Sequence, residues 1–512
     1  MRLHPPACFV LTGSVLGILA ARADAQLQEG WTTRLGVEAN ITAGLAVPSQ
    51  ANAVVDDFGG NWRAERIALR TAHDWDGLPP LAKLAFGASR EEVDLHLELS
   101  LKRDLEAYRT DPLHGNWVGG FGEVDINVPH EGWLSVGTRA GKFKVGRFPW
   151  RFGDVPHGVI LAGAPRHDGV LWELGVGRVR YSFLGSSLNP WLNGTPTDSL
   201  GRVAGSESAL VGRAPTGSEA WQQSHHALGD QHGRIYDDPS KTLFAHALEW
   251  KIGLVELAVI EQTLVGGKSP GFRDLNPFVL WHDNYGDGYS RSFFSFQGKV
   301  SDRGTGQMWF QVATQLIKSP VEGEDNYDPP TQMAVATGWS KRWFLPKGIL
   351  SAHQEFAATT PTYDNHLLPL LKMTSRRVYR SNVRDQADPG YADNFQVDDP
   401  LGYGRGPDAC DLWSRVDWQE AQDSWSLGIG VDWLQQGDAD LSRPVTAFEN
   451  RTWPLSGTVE RELAIRVHGS LPVDGFMDVW TSAGTSILWN RNHVAGNDGI
   501  WPLASLGMHV RY

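Results

Sequence analysis

The chain has 512 residues, a formal net charge of −13 and 41% hydrophobic residues, and beyond its N-terminus no apolar run is long enough for a transmembrane helix. A mean hydropathy of −0.31 suits a soluble protein, and it suits a transmembrane β-barrel equally, because only every second residue of a barrel strand meets lipid. The 22 Trp residues suit the aromatic belts of a membrane barrel; the alternative is an aromatic-cored β protein or a sugar-binding protein.

The first residues have the pattern of a secretory signal peptide. Arg2 provides the positive start, residues 8–21 form the apolar core, and a cleavage site of the A-x-A type ends at Ala25. We therefore predict a signal peptide over residues 1–25. Cys410 is then the only cysteine of the mature chain, which excludes an intrachain disulfide and fits a Gram-negative envelope protein.

Residues 26–92 are predicted to form an N-terminal segment that precedes the barrel. Residues 33–42 could be a first strand. Residues 61–74 carry small and apolar side chains at helical spacing with arginines around them, which predicts a short amphipathic helix on the periplasmic side.

From residue 93 the pattern becomes that of β-strands, and we predict a transmembrane barrel over residues 93–512. In the run 93–101, aliphatic side chains alternate with polar ones, as expected for one face on lipid and the other on a wet lumen. Further alternating runs lie at residues 121–128, 133–138, 143–148, 169–174, 177–184, 243–250, 254–262, 292–300, 307–316, 332–342, 348–358, 412–419, 424–434, 458–470 and 476–482.

The run 424–434 shows the pattern of a lipid-crossing strand most clearly. Its predicted lipid face has aromatic residues at both ends and aliphatic residues between them: Trp425, Leu427, Ile429, Val431 and Trp433. The run 506–512 alternates in the same way and ends on Tyr512, so it is predicted to be the closing strand.

Short, turn-rich connections alternate with long polar ones along the chain. A barrel with tight periplasmic turns and long external loops requires this alternation, whereas a soluble β-sandwich does not. Because single-chain bacterial barrels favour even strand numbers, we predict an all-β, antiparallel transmembrane barrel of 18 strands, with 16 as the next possibility.

One long loop, residues 276–289, combines aromatic rings with carboxylate and amide groups. Rings stack on the apolar faces of sugars, and Asp or Asn side chains bond their hydroxyl groups. This chemistry predicts a glycan site; the alternative is that the loop packs inside the barrel mouth. The candidate ligand-binding residues of this loop are Trp281, Asp283, Asn284, Tyr285 and Tyr289.

Two further loops follow other patterns. Arg147 and Arg151 could meet an anionic glycan at the rim of the lumen, or pair with Asp154 to brace it. The Gly- and Pro-rich stretch 399–408 is predicted to be a rigid structural loop, because it lacks the features of a phosphate-binding loop.

The sequence shows neither a nucleophile-elbow motif nor the spacing of a zinc site. His225 and His226 are adjacent in a long loop, an arrangement that seldom binds metal. We therefore predict no catalytic residues, no metal site, no cofactor and no enzymatic activity.

Several stretches resemble the Wzi-like family of capsule-assembly outer-membrane proteins, over roughly residues 140–410. They are residues 143–154, 158–166, 261–289 and 399–408. Gly146 and Arg147 match the family's Gly-Arg, whereas residues 152–154 replace its Trp-Gly-Pro-Gly-like turn. The resemblance implies an 18-stranded barrel with periplasmic helical elements that holds surface polysaccharide at the cell exterior.

The functional prediction is thus an outer-membrane barrel of a Gram-negative cell that binds or anchors surface or capsular polysaccharide. The alternative is a porin or solute channel. The partners predicted are outer-membrane lipid and lipopolysaccharide, surface polysaccharide, and the barrel-assembly machinery through the C-terminal strand. No nucleic-acid partner is predicted.

Overall fold

The structure is a computed structural model of the whole chain. The residues that it describes are 32–45, 75, 78–110, 115–120, 123–125, 130–139, 141–153, 155, 157–162, 166–188, 241–266, 270–271, 276–278, 290–315, 332–365, 371–384, 392–422, 424–439, 441, 455–474 and 476–511. The predicted signal peptide and the helix predicted at residues 61–74 lie outside these residues.

The described residues contain twenty strands, and eighteen of them form one closed antiparallel sheet. The strands are β1 (Thr32–Leu45), β2 (Ala82–Arg90), β3 (Val93–Leu101), β4 (Glu131–Gly137), β5 (Gly141–Phe148), β6 (His167–Val176), β7 (Val179–Ser187), β8 (Lys241–Ile252), β9 (Val255–Gly266), β10 (Ser290–Asp302), β11 (Gly306–Gln315), β12 (Met333–Leu345), β13 (Gly348–Thr359), β14 (Thr374–Arg384), β15 (Ala392–Pro400), β16 (Ala409–Glu420), β17 (Ser426–Gln436), β18 (Glu460–Asp474), β19 (Met477–Trp489) and β20 (Gly499–Arg511).

Each barrel strand pairs with the next along the chain, β13 pairs with β16, and β20 pairs with β1. β14 and β15 form a separate hairpin in the long connection that leaves β13. A short helix α1 (Leu105–Thr110) follows β3, and no helix in the described part of the chain is long and apolar enough to cross a membrane.

The predicted number of 18 strands is confirmed, although two compensating errors lie behind it. β2 was not predicted, because its inward face carries small residues such as Ala85 and Gly87 that weaken the alternation. The run 121–128 was predicted as a strand, yet among its described residues only Val124 pairs, in one isolated bridge with Arg103. β1 and β2 also extend the barrel upstream of residue 93.

On most strands the outer wall is apolar and the inner wall is largely polar, as the alternation predicted. Leu95, Leu97 and Leu99 on β3 are exposed on the outside, and Leu427 and Ile429 on β17 are exposed in the same way. A closed sheet with this outer surface satisfies its backbone hydrogen bonds internally and can lie in lipid. The protein is therefore an outer-membrane β-barrel of a Gram-negative cell.

The barrel closes where β20 pairs with β1. Ile41 and Met508 are register partners on the outward face of this seam. On the luminal face, His509 lies between two carboxylates, 3.7 Å from Glu38 on β1 and 3.9 Å from Asp478 on β19. The closing strand predicted at residues 506–512 is thus confirmed as part of a longer strand, and Tyr512 lies outside the described residues.

The main hydrophobic core lies inside the barrel. Phe148, Val159, Ile160 and Leu161 are fully buried there against inward-facing side chains of the wall such as Leu243. Because the tight turns mark the periplasmic end, the connections that enter the lumen do so from the outer end.

Replacing Ile429 by Arg should destabilise the barrel in lipid by roughly 2–4 kcal/mol, because a charge would face the middle of the apolar band. Ile429 lies about four residues from a tight turn, or roughly 10 Å along the barrel axis. Urea-dependent folding into lipid vesicles measures the effect. Gly430→Arg is the matched control: Gly430 faces the lumen, and an added Cβ meets only Ser414 O at 3.9 Å. A larger loss for Gly430→Arg would reverse the assignment of the two faces.

Deleting residues 506–512 should prevent insertion into the outer membrane, because β1 would keep an open edge where those residues pair. The expected result is loss of heat-modifiable protein from outer-membrane fractions and its degradation in the periplasm. Heat-modifiable truncated protein in those fractions would contradict the role of the closing strand.

Candidate functional site

The predicted glycan residues of the loop after β9 lie outside the described residues: Trp281, Asp283, Asn284, Tyr285 and Tyr289. The start of that loop is described. There, Phe278 packs on the outside of the barrel, edge-on to Trp172 with 5.8 Å between ring centroids and stacked on Tyr181 at 6.5 Å.

Arg147 faces the outside of the barrel, so the prediction that it lies at the rim of the lumen is wrong. It shares the outward face of β5 with Phe143 and Val145. Its guanidinium group forms a two-bond ion pair with Asp168 of β6, with Nε to Oδ1 at 2.7 Å and Nη2 to Oδ2 at 2.8 Å. The error arose because Arg147 was assigned a face from its polarity, whereas strand parity places it beside Val145. Arg151 is exposed just beyond the end of β5.

The connection between β5 and β6 folds into the lumen, and we call its part from Trp150 to Ala162 the plug segment. Gln311 of β11 is buried and anchors it. The Val159 backbone N–H donates to Gln311 Oε1 at 2.9 Å, and Gln311 Nε2 donates to Gln297 Oε1 at 2.7 Å. A buried, hydrogen-bonded amide of this kind fixes the position of the segment against the wall.

A second anchor holds His157 of the plug segment against β13 and β16, two and three strands further along the same wall. Its backbone N–H donates to Glu355 Oε2 of β13 at 2.9 Å, and its Nδ1 lies 3.3 Å from Asp411 Oδ2 of β16. Its ring also packs on Trp413, with 5.1 Å between ring centroids. Glu355 and Asp411 are almost completely buried, so these contacts are made away from water.

The Gly-rich stretch before β16 closes over the plug segment. Tyr403 is buried and donates to Asp411 Oδ2 at 2.7 Å, and Arg405 Nε lies 3.2 Å from the same oxygen. Tyr363, from the connection after β13, donates to the Val159 carbonyl at 2.7 Å. These contacts agree with the structural role predicted for residues 399–408.

A second apolar cluster lies on the outer wall, separate from the luminal core. Phe183, Phe244 and Val265 are buried on the outward faces of β7, β8 and β9. Beside them, His246 and Glu261 are register partners that also face outward, and Tyr181 Oη lies 2.8 Å from His246 Nδ1.

Sequence reasoning did not single out this outer-wall cluster, although a signal was present. Leu243, Phe244 and Ala245 of β8 are apolar at three successive positions, whereas a strand with one wet face alternates. Leu243 and Ala245 pack inward on the luminal core, while Phe244 packs outward. This short apolar run therefore indicated that both faces of the wall are covered at these positions, but not by what.

One group of described residues brings metal-type donors together on the luminal wall: His96, Glu98 and Glu131, with donor atoms within 4.8 Å of one another. The two carboxylates already have cationic partners. Lys83 Nζ lies 3.1 Å from Glu98, and Arg166 Nε lies 3.5 Å from Glu131. The group is therefore neutralised by this chain's own side chains.

No protein-family model matches the chain, and no curated protein matches it. Among solved structures, it is similar to Wzi of Escherichia coli, described as an outer membrane protein involved in group 1 capsule assembly and a carbohydrate-binding β-barrel. The identity is 13% over 100% of this chain and 89% of that chain, with a TM-score of 0.49. The outer membrane protein OprD of Pseudomonas aeruginosa is 7% identical over 94% of this chain and 95% of that chain, with a TM-score of 0.41. At these identities the likeness concerns the fold alone.

The buried carboxyl of Asp364, beside the plug segment, should make the stability of the outer-end loops depend on pH. Burial raises its pKa to about 7, although the positive charge of Arg291 opposes the shift. The folded state then holds the proton more tightly than the unfolded chain, so the free energy of unfolding should fall as the pH rises from about 4 to 7.

Asp364→Asn should remove most of this fall, because an amide oxygen can still accept the Gly402 N–H that Asp364 Oδ2 accepts at 3.1 Å. Urea unfolding of the refolded barrel at pH 4.5 and pH 8 measures the difference. An unchanged pH dependence in the variant would show that Asp364 is not the group responsible.

Proposed function

We propose that this outer-membrane barrel holds surface polysaccharide at the cell exterior and does not act as an open channel. The observation that carries the proposal is the plug segment. A channel needs a continuous water-filled lumen, whereas here the apolar side chains of Val159, Ile160 and Leu161 are fully buried inside the barrel.

The anchoring of the plug segment supports a permanent plug over a mobile gate. It is held by side chains from three strands of one stretch of wall, β11, β13 and β16, through Gln311, Glu355 and Asp411. Displacing it would remove one contact from each of these buried groups, at a cost of about 0.5–1.5 kcal/mol for a neutral hydrogen bond and about 1.5–3 kcal/mol for one to a charged group.

The loop of residues 276–289 supports the proposal that the ligand is a polysaccharide. It combines Trp281 and Tyr285 with Asp283, a set suited to sugar rings and hydroxyl groups, and it belongs to a long connection at the outer end. We further propose that the protein has no catalytic activity. We expect it to contact outer-membrane lipid and lipopolysaccharide, and to be inserted by the barrel-assembly machinery through β20.

In planar bilayers the purified protein should show no steady single-channel conductance, because the plug segment occludes the lumen. Replacing residues 152–161 by a flexible Gly-Ser linker of equal length should open a steady conductance, because it removes the buried apolar side chains and keeps the connection. A steady ohmic conductance of the unmodified protein would favour the alternative function of a solute channel.

Trp281→Ala should reduce the retention of capsule or surface polysaccharide on cells while leaving the barrel folded and heat-modifiable. Phe344→Ala is the matched control, because Phe344 is 78% exposed and lies at the periplasmic end, where no surface glycan can reach it. Undiminished glycan retention in the Trp281 variant would remove this loop as the binding site.

A further inference from the structure

The ion pair between Arg147 and Asp168 lies low on the outward face of the barrel. Counted from the strand ends at the tight turns, Arg147 is about six residues up β5 and Asp168 is about eight residues up β6. At the usual rise and tilt of barrel strands, these counts correspond to roughly 15 Å and 20 Å along the barrel axis. The apolar band of an outer-membrane barrel is about 25 Å tall, so both charges lie at a height that lipid chains normally cover.

This part of the outer wall is open to lipid. The side chains of Arg147 and Asp168 are 42% and 52% exposed, and the apolar register partners Leu134 and Val145 below them are exposed as well. The wall therefore differs from that of β7 to β9, whose outward side chains are largely buried within this chain. Lipid can reach the ion pair, and the surrounding bilayer must adapt to its charges.

The wall of β18 and β19 remains uncharged to a greater height. From Leu471 to Leu463, the outward face of β18 carries no charged side chain, and Arg461 is the first charged residue above that stretch. Leu463 lies about eleven residues from the strand end at the turn, or roughly 28 Å along the barrel axis. The uncharged surface is thus roughly 10 Å taller here than beside Arg147 and Asp168.

The path of the chain explains why the wall is low at β5. This strand ends at Phe148, whose side chain is fully buried inside the barrel, and the plug segment begins two residues later at Trp150. A chain that turns into the lumen at this level cannot also continue upward in the wall. β5 accordingly has 8 residues, whereas β18 has 15.

We propose that the outer membrane is locally thinned beside the low wall, which we define as the outward faces of β4 and β5 together with Asp168 of β6. The polar headgroups of the outer leaflet come down to the ion pair, so the bilayer is thinner there by roughly 5–10 Å. A bilayer adapts to a short apolar wall by thinning at a modest cost per ångström, whereas a charged side chain costs more the nearer it lies to the bilayer midplane.

Tilting of the barrel does not replace this thinning. A tilt moves one wall up and the opposite wall down, but it does not lengthen the apolar band of either wall. The inference is independent of the polysaccharide proposal, because it concerns the lipid around the barrel and not the glycan loop.

Depth-dependent quenching of one fluorophore on each wall tests the thinning. The fluorophore is attached to Gly132→Cys or Ala483→Cys in a Cys410→Ser background. Gly132 is the outward register partner of Arg147, and an added Cβ there meets only Leu97 Cδ1, at 3.5 Å. Ala483 is the matched control, because it faces outward about six residues above its turn on β19.

The labelled proteins are folded into phosphatidylcholine vesicles whose chains are brominated either near the headgroup or near the chain end. The near-headgroup bromines should quench the Gly132 label more strongly, and the chain-end bromines should quench the Ala483 label more strongly. Stronger quenching of both labels by the chain-end bromines would place the ion pair in a bilayer of full thickness and overturn the proposal. A Gly132 label that neither lipid quenches would mean that protein covers this wall, which would overturn it as well.

A double variant, Arg147→Leu with Asp168→Leu, tests whether the charges set the level of the headgroups. Without the ion pair the apolar surface continues upward, so the quenching ratio of the Gly132 label should shift toward the chain-end bromines. The ratio of the Ala483 label should not change. An unshifted ratio at Gly132, in protein that heat-modifiability shows to be folded, would contradict the proposal.

Discussion

Closure of the sheet is the constraint on which the rest of the structure depends. In hydrocarbon, an unpaired backbone N–H or C=O group costs several kcal/mol, so β1 must pair with β20 for any part of the wall to be stable. The seam is also held from the inside, where His509 lies between Glu38 and Asp478. Once the ring of strands is closed, each strand has two faces whose surroundings decide which side chains it can carry.

The inner face is divided between protein and water. Where the plug segment enters, the wall carries apolar and fully buried side chains such as Leu243 and Ile260, and the polar groups there are paired with the plug. Nearer the tight turns, the wall carries ion pairs between strands, such as Arg180 with Glu249 at 2.6 Å. An outer half filled by the plug segment and a polar periplasmic half agree with the proposed function of holding polysaccharide at the cell exterior.

The outer face is divided as well. The wall of β16 to β20 follows the simple rule of apolar side chains outward, with Trp433 and Trp489 packed edge to face on it at 5.7 Å. On β8 and β9, His246 and Glu261 face outward and are buried. Phe278 packs nearby on the outward side chains of Trp172 and Tyr181. The two walls therefore differ in how far this chain itself covers them.

The sequence by itself determined the class of fold, the antiparallel order of most strands and the faces of strands such as β17, while its strand number of 18 was reached with β2 missed and the run 121–128 added. These follow from a period of two along each strand and from the alternation of short and long connections, both of which are local. Only the tertiary structure decided what lies against each face. The plug segment meets Gln311 and Asp411 across long sequence separations, and Phe278 meets Tyr181 on the outside; alternation shows that a face is covered, but not which distant residues cover it. The face of Arg147 was mistaken for a different reason: its polarity suggested the lumen, although strand parity places it on the outer face with Val145. There an ion pair with Asp168 partners its charge.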